Sequence, residues 1–252
     1  MISDRRKCTD GAKKMTEARY IKNIGILGEE GQNRLFDSHV AIAGAGGLGG
    51  TVFEILVRYG VGRITIIDFG SFEESNLNRQ LLSSVKLLGK NKASAAVKRA
   101  NEINPDVKVL AHGERITDEN ARVLIGGAHL VCDCLGNIRD RFVLERAARA
   151  LSIPMVHAAV AGQRGQLATI FPGDVGLSAI YGEEKSAPAS GDEITLGTPP
   201  STVMAVAAMQ AHETVRLLIG EPPHPAALRN ELLVVDINKW EFSHYQLPQK
   251  TA

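Results

Sequence analysis

A glycine-rich turn near the start of the chain has the residue types and spacing needed to approach a phosphate group. Residues 41–50 read AIAGAGGLGG, and Gly44, Gly46 and Gly49 match the spacing G-x-G-x-x-G behind a short apolar run. Such a turn presents the backbone N–H groups of a helix N-terminus to phosphate oxygens. Dehydrogenases, flavin enzymes and nucleotide-activating enzymes all use this spacing, so the turn predicts a nucleotide without choosing among them.

An acidic residue at the end of the next apolar stretch extends the prediction to the ribose. Asp68 closes the segment RITIID, roughly 20 residues beyond the glycine turn, where a carboxylate can accept hydrogen bonds from ribose hydroxyls. NAD and ATP are equally compatible with this pair of features.

Polar side chains after Asp68 favour a triphosphate. Asn76, Arg79 and Gln80 lie in SFEESNLNRQLL, and Lys92 follows in LLGKNKASA. Attack on the α-phosphorus of a triphosphate develops negative charge that Arg and Lys stabilise, whereas a dinucleotide needs no such extra cations. We therefore predict ATP, with Arg79 and Lys92 as phosphate clamps and Asn76 as a neutral donor.

The elements that must position these residues alternate between strand and helix patterns. The strand patterns cover residues 39–44, 63–69, 107–112, 129–135 and 153–160. The helix patterns cover residues 49–60, 90–103, 118–125 and 137–151, after one or two short amphipathic helices between Arg19 and about Phe36. This alternation predicts a Rossmann-like, doubly wound α/β fold with a mostly parallel sheet.

The pattern changes after Ala159, and antiparallel strands are expected to extend the sheet on its C-terminal side. A strand over 165–171 is followed by residues 173–200, which have little periodicity and are predicted to be a functional or mobile loop. A helix over 201–220 is predicted with Ser201 as N-cap and Gly220 as stop, before a hairpin turned at Asn238. Residues 1–17 are predicted to be a mobile leader, and residues 18–252 a single domain.

Composition narrows the class of protein. The chain has 252 residues, 44% of them apolar, and a net charge of +1, which does not favour nucleic acid or a membrane surface as partner. The N-terminus lacks the apolar core of a secretory signal, so the cytoplasm is the predicted compartment. Cys132 and Cys134 should share one face of a buried strand as packing residues, and His157 and His212 are predicted to be core or interface residues.

Longer stretches resemble the ThiF/MoeB/HesA group, the E1-like adenylyltransferases that activate ubiquitin-like sulfur-carrier proteins. The similarity rests on IIDFGSFEESNLNRQ, KNKASAA, NEINPDV, VCDCLGN and LGTPPSTVMAVAAMQAHETVRLLIG, and runs from about Arg19 to Leu247. The resemblance implies that the C-terminal glycine carboxylate of a carrier ending in Gly-Gly attacks the α-phosphorus of ATP and releases pyrophosphate. It also implies a homodimer and a crossover loop, about 173–200, over the carrier tail.

The resemblance assigns roles to individual residues. Gly44, Gly46 and Gly47 would approach the phosphates, Asp68 the ribose, and Asn76, Arg79 and Lys92 the triphosphate. Arg141 matches an arginine that follows the family's Asp-Asn pair, and Asn137 matches the Asn of that pair as a nucleotide contact. Arg19 or Lys22 would carry positive charge into the partner subunit's site, with Lys22 standing where the family has arginine.

Two departures from the family bear on activity. Gly136 replaces the family's magnesium-linked Asp, so no metal ligand is assigned: Asp133, Asp192 or Glu193 substitutes, or phosphates and water hold Mg²⁺, or adenylation is impaired. Residues 135–252 contain no cysteine, so covalent sulfur relay through the crossover loop is not expected. The zinc-binding cysteine pairs of many relatives are also missing.

Three alternatives stay open on the sequence alone. The acceptor could be a modified tRNA nucleoside or a peptide C-terminus, although the near-neutral charge does not favour tRNA. The chain could be a degenerate scaffold that binds nucleotide or carrier without turnover, for which Gly136 is the main support. A nicotinamide-dependent dehydrogenase is the remaining alternative, and it would leave the Asn-Leu-Asn-Arg-Gln string without a purpose.

Overall fold

A computed structural model of the chain describes residues 18–188, 191–220 and 228–249. The leader predicted for residues 1–17, which includes Cys8, lies outside the described residues. The single-domain organisation of residues 18–252 stays a prediction.

Eight strands of the described chain form one sheet in the order β3-β2-β1-β4-β5-β6-β7-β8. The strands are β1 (His39–Ala43), β2 (Arg63–Ile67), β3 (Lys108–His112), β4 (Leu130–Asp133), β5 (Met155–Ala161), β6 (Arg164–Ile170), β7 (Glu231–Asp236) and β8 (Glu241–Gln246). Strands β1 to β5 pair in parallel, whereas β6, β7 and β8 are added antiparallel. The predicted parallel sheet with an antiparallel extension is confirmed.

Helices cover both faces of the parallel part. They are α1 (Ile21–Asp37), α2 (Gly47–Tyr59), α3 (Lys92–Ile103), α4 (Ala121–Leu124), α5 (Ile138–Ala150), α6 (Ser178–Tyr181), α7 (Glu193–Leu196) and α8 (Pro200–Ile219). Successive residues of β1 point to opposite faces: Val40 and Ile42 pack with α2, α3 and α8, while Ala41 and Ala43 pack with α4 and α5. All of β1 is buried, as expected for a central parallel strand covered on both sides.

The N-terminal helix α1 is two helical pieces joined at a kink. Gly28 takes φ of 65° inside it, a left-handed conformation that glycine adopts without the steric cost a side chain would bring. The prediction of one or two short amphipathic helices in this region is confirmed.

Of two local predictions in the C-terminal half, the N-cap at Ser201 is wrong and the hairpin turned at Asn238 is confirmed. Helix α8 begins at Pro200 with Pro199 as N-cap and no side-chain cap, because a proline at the first helical position already has the required φ; Ser201 therefore lies inside the helix. The β7–β8 turn is stabilised by Asp236, which accepts a hydrogen bond from the Lys239 N–H at 3.2 Å. Asn238 lies within this turn, whose left-handed residue is Trp240, with φ of 57°.

The segment 173–200 is not a plain loop. It contains α6 and α7, each of four residues. A single turn of helix is too short to produce the repeat of apolar residues on which sequence prediction depends.

The two cysteines near the end of β4 face the same helix. The Cys132 thiol lies 3.2 Å from Thr214 Oγ1, and the Cys134 thiol donates to Gln210 Oε1 at 3.4 Å, both on α8. Burial raises the pKa of Cys132 to about 12, so this thiol stays protonated. The predicted packing role on one sheet face is confirmed. Among the described helices none has the length and apolarity required to cross a membrane.

Candidate active site

A cavity of about 990 Å³ opens at the carboxyl ends of the central strands. Its first part is lined by residues that follow β1, β2 and β4, and its second part by β5, β6, β7 and the segment between β6 and α8. Strand β1 lies between β2 and β4, so the first part is the crevice at a topological switch point, where doubly wound sheets bind their ligands.

The glycine turn forms the floor of the first part. Gly44 has φ of 95°, and Gly44, Gly46 and Gly47 line the cavity. Gly49 does not line it: a Cβ at Gly49 would lie 1.8 Å from the carbonyl oxygen of Gly44. The structure therefore assigns Gly49 to the close packing of α2 against the end of β1, and its predicted contact with the nucleotide stays untested.

This packing makes Gly49 the glycine of the turn least able to carry a side chain. We expect Gly49→Ala to lower the free energy of unfolding by at least ~3 kcal/mol, because the clash is with backbone that cannot rotate away. Gly136→Ala is the matched control, since a Cβ there has nothing within 4 Å. Urea denaturation measures both, and equal stabilities would contradict the packing role.

Asp68 holds the turn in shape. Its Oδ2 accepts the Ala45 N–H at 2.7 Å, and its Oδ1 accepts the Gly70 N–H at 2.7 Å. The carboxylate also lines the cavity, and each oxygen keeps lone-pair capacity for a hydroxyl. The predicted ribose contact is compatible with this geometry.

Four helix N-termini converge on the cavity. Helix α2 begins at Gly47, α3 at Lys92 and α5 at Ile138, and each of these residues lines the wall, as does Val203 in the first turn of α8. The first N–H groups of a helix have no partner within it, and the end carries roughly +0.5 of a charge. With the side chains of Arg79 and Lys92 also in the wall, the site is suited to a highly anionic ligand.

Of the polar residues that follow Asp68, some line the cavity and others only hydrogen-bond to neighbouring residues. Arg79 and Gln80 line the cavity, and Gln80 Oε1 is a buried acceptor without a partner among the described residues. Asn76 does not line the cavity: its Oδ1 accepts the Glu73 N–H at 3.2 Å in a capping box. Its predicted contact with phosphate stays a prediction. Asn137 does line it, as the N-cap of α5.

A buried ion pair lies at the wall of the cavity, which Arg141 lines. Asp133 Oδ2 lies 3.2 Å from Arg141 Nη1 and 2.7 Å from His157 Nδ1, and all three residues are buried. Burial opposes the ionisation of Asp133, but Arg141 and the hydrogen bond from His157 outweigh burial and hold the pKa of Asp133 below its ordinary value. Burial lowers the pKa of His157, so its ring is neutral near pH 7.

Of the three residues that could substitute for the missing magnesium ligand, this pairing excludes Asp133. Its Oδ1 accepts the Leu135 N–H at 3.1 Å and its Oδ2 is occupied by Arg141 and His157, because Arg141 in the first turn of α5 reaches back to β4. Asp192 and Glu193 do line the cavity. The described ranges contain no group of three or more residues arranged to hold a metal ion. The cationic wall therefore fits the phosphates of ATP, and Asp192 and Glu193 are the carboxylates named above that remain in the wall.

Other predicted residues lie away from the wall. Arg19 Nη1 donates to Asn104 Oδ1 at 2.7 Å beyond the end of α3, and Lys22 is exposed. Their predicted role in a partner subunit's site stays a prediction. His157 is a satisfied core residue as predicted, whereas His212 is exposed on α8, so a core role for it is wrong.

Some lining residues were not found from the sequence. The Arg115 guanidinium, in the first part of the cavity, lies 5.5 Å from the centre of the Phe69 ring and forms an ion pair with Asp140 at 2.9 Å. Gln166 and Tyr181 line the second part of the cavity. They lie on segments without a recognised motif, so nothing in their spacing marked them.

Several relatives of similar length match most of the chain. The sulfur carrier protein adenylyltransferase of Thermus thermophilus is 34% identical over 219 residues, which is 83% of this chain and 79% of the relative. The SAMP-activating enzyme E1 of Haloferax volcanii is 33% identical over 223 residues, covering 86% and 80%. Protein HesA of Nostoc sp. is 33% identical over 222 residues, covering 88% and 85%.

Solved structures share the fold. MccB from E. coli, crystallised with AMPCPP and MccA, superposes with a TM-score of 0.77 at 19% identity, covering 99% of this chain and 80% of MccB. PaaA superposes with the same TM-score of 0.77 at 19% identity, covering 95% and 75%. At this identity the likeness supports the fold alone.

The fold, the anion-binding cavity and the relatives together define an E1-like, ATP-dependent adenylyltransferase. The model of the ThiF family matches residues 18–252, and the chain belongs to that family.

Proposed function

We propose that the protein adenylates the C-terminal glycine of a small ubiquitin-like sulfur-carrier protein. The observation that carries the proposal is the convergence of four helix N-termini, Arg79 and Lys92 on the glycine turn of one cavity. Such a site stabilises the charge that develops during attack on a phosphate. The relatives named as adenylyltransferases and activating enzymes supply the acceptor class.

The reaction is an in-line displacement at the α-phosphorus. A carboxylate oxygen of the acceptor forms a bond to phosphorus, the bond from the α-phosphorus to its bridging oxygen breaks, and pyrophosphate leaves. Arg79, Lys92 and the N–H groups at the start of α2 stabilise the charge, while Asp68 orients the ribose. Asn137 holds the start of α5 at the wall, through hydrogen bonds from the Arg139 and Asp140 N–H groups.

The second part of the cavity would receive the acceptor tail. Small residues of β5 and β6, Ala159, Ala161 and Gly165, line it together with Leu196 and Val234. A tail of glycines has no side chains to accommodate, so a wall of small and apolar residues suits it. We also propose that the protein is a cytoplasmic homodimer. In this dimer Arg19 or Lys22 of one subunit carries positive charge into the site of the other.

Because no cysteine follows Cys134, the acyl-adenylate is the end product on this chain in our proposal. An external sulfur nucleophile would then attack the acyl carbon and release AMP. Nucleic acid is not part of the proposal.

The direct test is ATP–pyrophosphate exchange with a panel of purified Gly-Gly-tailed carriers, with Mg²⁺ present or absent. We expect exchange with at least one carrier and none with a carrier that lacks its last two residues. A thermal-shift series with ATP, AMP and NAD adds a binding test, since ligand at a hundredfold excess over its Kd stabilises a protein by about 2.7 kcal/mol. A shift with NAD alone would contradict the proposal.

A scaffold without turnover is the second candidate, favoured by Gly136. The space around Gly136 is open, so Gly136→Asp can place a carboxylate in the wall without a clash. If the protein is an active enzyme, we expect Gly136→Asp to change exchange by less than about tenfold. Exchange that appears only in Gly136→Asp would show that the wild-type protein is a scaffold without turnover. Gly136→Asn is the control, because it adds a side chain of similar size without the charge.

A further inference from the structure

Four side chains link the buried ion pair to the wall of the second part of the cavity. Asp133 Oδ2 lies 2.7 Å from His157 Nδ1, and His157 Nε2 lies 3.1 Å from the Tyr181 hydroxyl. Gln166 Nε2 donates to that hydroxyl oxygen at 2.7 Å. Asp133 and His157 are fully buried, whereas Tyr181 and Gln166 line the cavity.

The ionised Asp133 sets the hydrogen-bonding roles of these side chains, among which Gln166 Nε2 also lies 3.2 Å from His157 Nε2. An ionised Asp133 requires the proton of His157 to be on Nδ1, and the neutral ring then offers Nε2 as an acceptor. The Tyr181 hydroxyl donates to Nε2, which leaves its oxygen to accept from Gln166. Burial raises the pKa of Tyr181 to about 12, so its proton stays in place.

These roles decide which way the Gln166 amide points. With Nε2 held by Tyr181, the carbonyl oxygen Oε1 is turned away from the chain, and no partner for it exists among the described residues. The buried atoms without partners in that part of the chain are Gln80 Oε1, Arg141 Nε and Thr202 Oγ1. Gln166 Oε1 is not one of them, so it is open to the cavity.

The position of Gln166 places its carbonyl oxygen beside the path proposed for the C-terminal tail of the carrier protein. Gln166 on β6 pairs with Ala159 on β5, and both line the second part of the cavity. An extended peptide lying along this wall has one N–H group per residue to satisfy, and a fixed carbonyl oxygen is the group that satisfies it.

We propose that Gln166 is a specificity-determining residue that accepts a hydrogen bond from the backbone N–H of the acceptor's last residue, with Tyr181, His157 and Asp133 as positioning residues. The inference rests on the proposed function and narrows it. The substrate class is a polypeptide C-terminus whose final bond is an amide, as opposed to a carboxylic acid that lacks an N–H near the reacting carboxylate.

The test compares two semisynthetic forms of a Gly-Gly-tailed carrier that binds the protein. One form ends in Gly-Gly, and the other ends in glycine esterified to glycolate, so that an ester oxygen replaces the last N–H. We expect the wild-type protein to favour the amide form by about tenfold in Kd, measured by fluorescence anisotropy, and in kcat/KM for exchange. The preference should lie in KM, with kcat changed little.

Gln166→Met keeps the length of the side chain and removes its donor and acceptor. We expect it to bind the two forms equally, while the matched control Gln163→Met, on the exposed β5–β6 turn, keeps the tenfold preference. Tyr181→Phe, which frees the Gln166 amide to rotate, should reduce the preference without abolishing binding. This second variant keeps the test decisive if Gln166→Met does not fold.

Equal affinity of the wild-type protein for both forms would overturn the inference, as would an unchanged preference in Gln166→Met. The anisotropy measurement separates this inference from the proposed function. A preference in binding that Gln166→Met removes, without exchange by any variant, would support the role of Gln166 and contradict turnover.

Discussion

Arg79→Ala should reduce ATP–pyrophosphate exchange at least about a hundredfold, because one charged donor to a developing phosphate charge is worth about 3 kcal/mol. Arg79 lines the cavity, and its guanidinium is placed by hydrogen bonds from Nη1 to Ser75 O at 3.0 Å and Asn78 Oδ1 at 2.9 Å. The loss should fall mainly on kcat, since the charge to be stabilised develops during the displacement. Steady-state exchange at saturating ATP measures it.

Arg122→Ala is the matched control for removal of one arginine. Arg122 is exposed on α4 and does not line the cavity, so its loss should leave exchange unchanged. Arg79 is partly exposed, and the stability of Arg79→Ala should stay within about 0.5 kcal/mol of the wild type. Exchange that survives Arg79→Ala at the wild-type rate would remove Arg79 from the mechanism.

The largest expected effect on stability belongs to Asp133. Asp133→Asn removes the carboxylate that pairs with Arg141 within the described part of the chain and leaves a buried cation uncompensated, which costs about 3–5 kcal/mol. Asp118→Asn is the matched control, because Asp118 pairs with Arg146 at the surface and such pairs contribute less than about 1 kcal/mol. Urea unfolding at pH 7 measures both, and equal losses would contradict the account of the buried pair.

The same pair sets the direction of the pH dependence. The folded-state pKa values of Asp133 and His157 both lie below their ordinary values, so the unfolded chain binds more protons than the folded one. Stability should therefore fall as pH drops from about 6.5 toward the folded-state pKa values, first through His157 and then, below about 3.9, through Asp133. An unfolding free energy that rises over this range would contradict the assignment.

The nucleotide end of the cavity could be predicted because its residues are close in sequence. The glycine turn, Asp68, Arg79 and Lys92 all fall between the end of β1 and the start of α3, and all except Arg79, which lies in a turn, meet the wall at the end of a strand or the start of a helix. Asn76 lies in the same segment but does not line the cavity, because its side chain accepts a hydrogen bond from the Glu73 N–H. Spacing cannot show which way a side chain turns.

The acceptor end could not be predicted for a different reason. Gln166 and Tyr181 reach the same wall through an antiparallel strand and a four-residue helix, and their link to Asp133 runs through a histidine on a third element. Such contacts depend on how the sheet brings distant segments together. The sequence left Asp133 open as one substitute for the missing magnesium ligand, because its partner Arg141 reaches it across a loop, which only the packing of α5 reveals.

The residues of the two parts of the cavity are far apart along the sequence, so the ribosome makes them at different times. The glycine turn at Gly44 follows the first strand along the chain, whereas Val234, in the second part of the cavity, belongs to the second-last strand. Contacts between such distant segments form late, because long loops must close before those contacts stabilise anything. A growing chain therefore carries an incomplete cavity until β7 has left the ribosome, and the first part of the cavity lacks Val203 until α8 has been made. ATP can then act as a ligand that secures the finished fold, and not as a template on which folding begins.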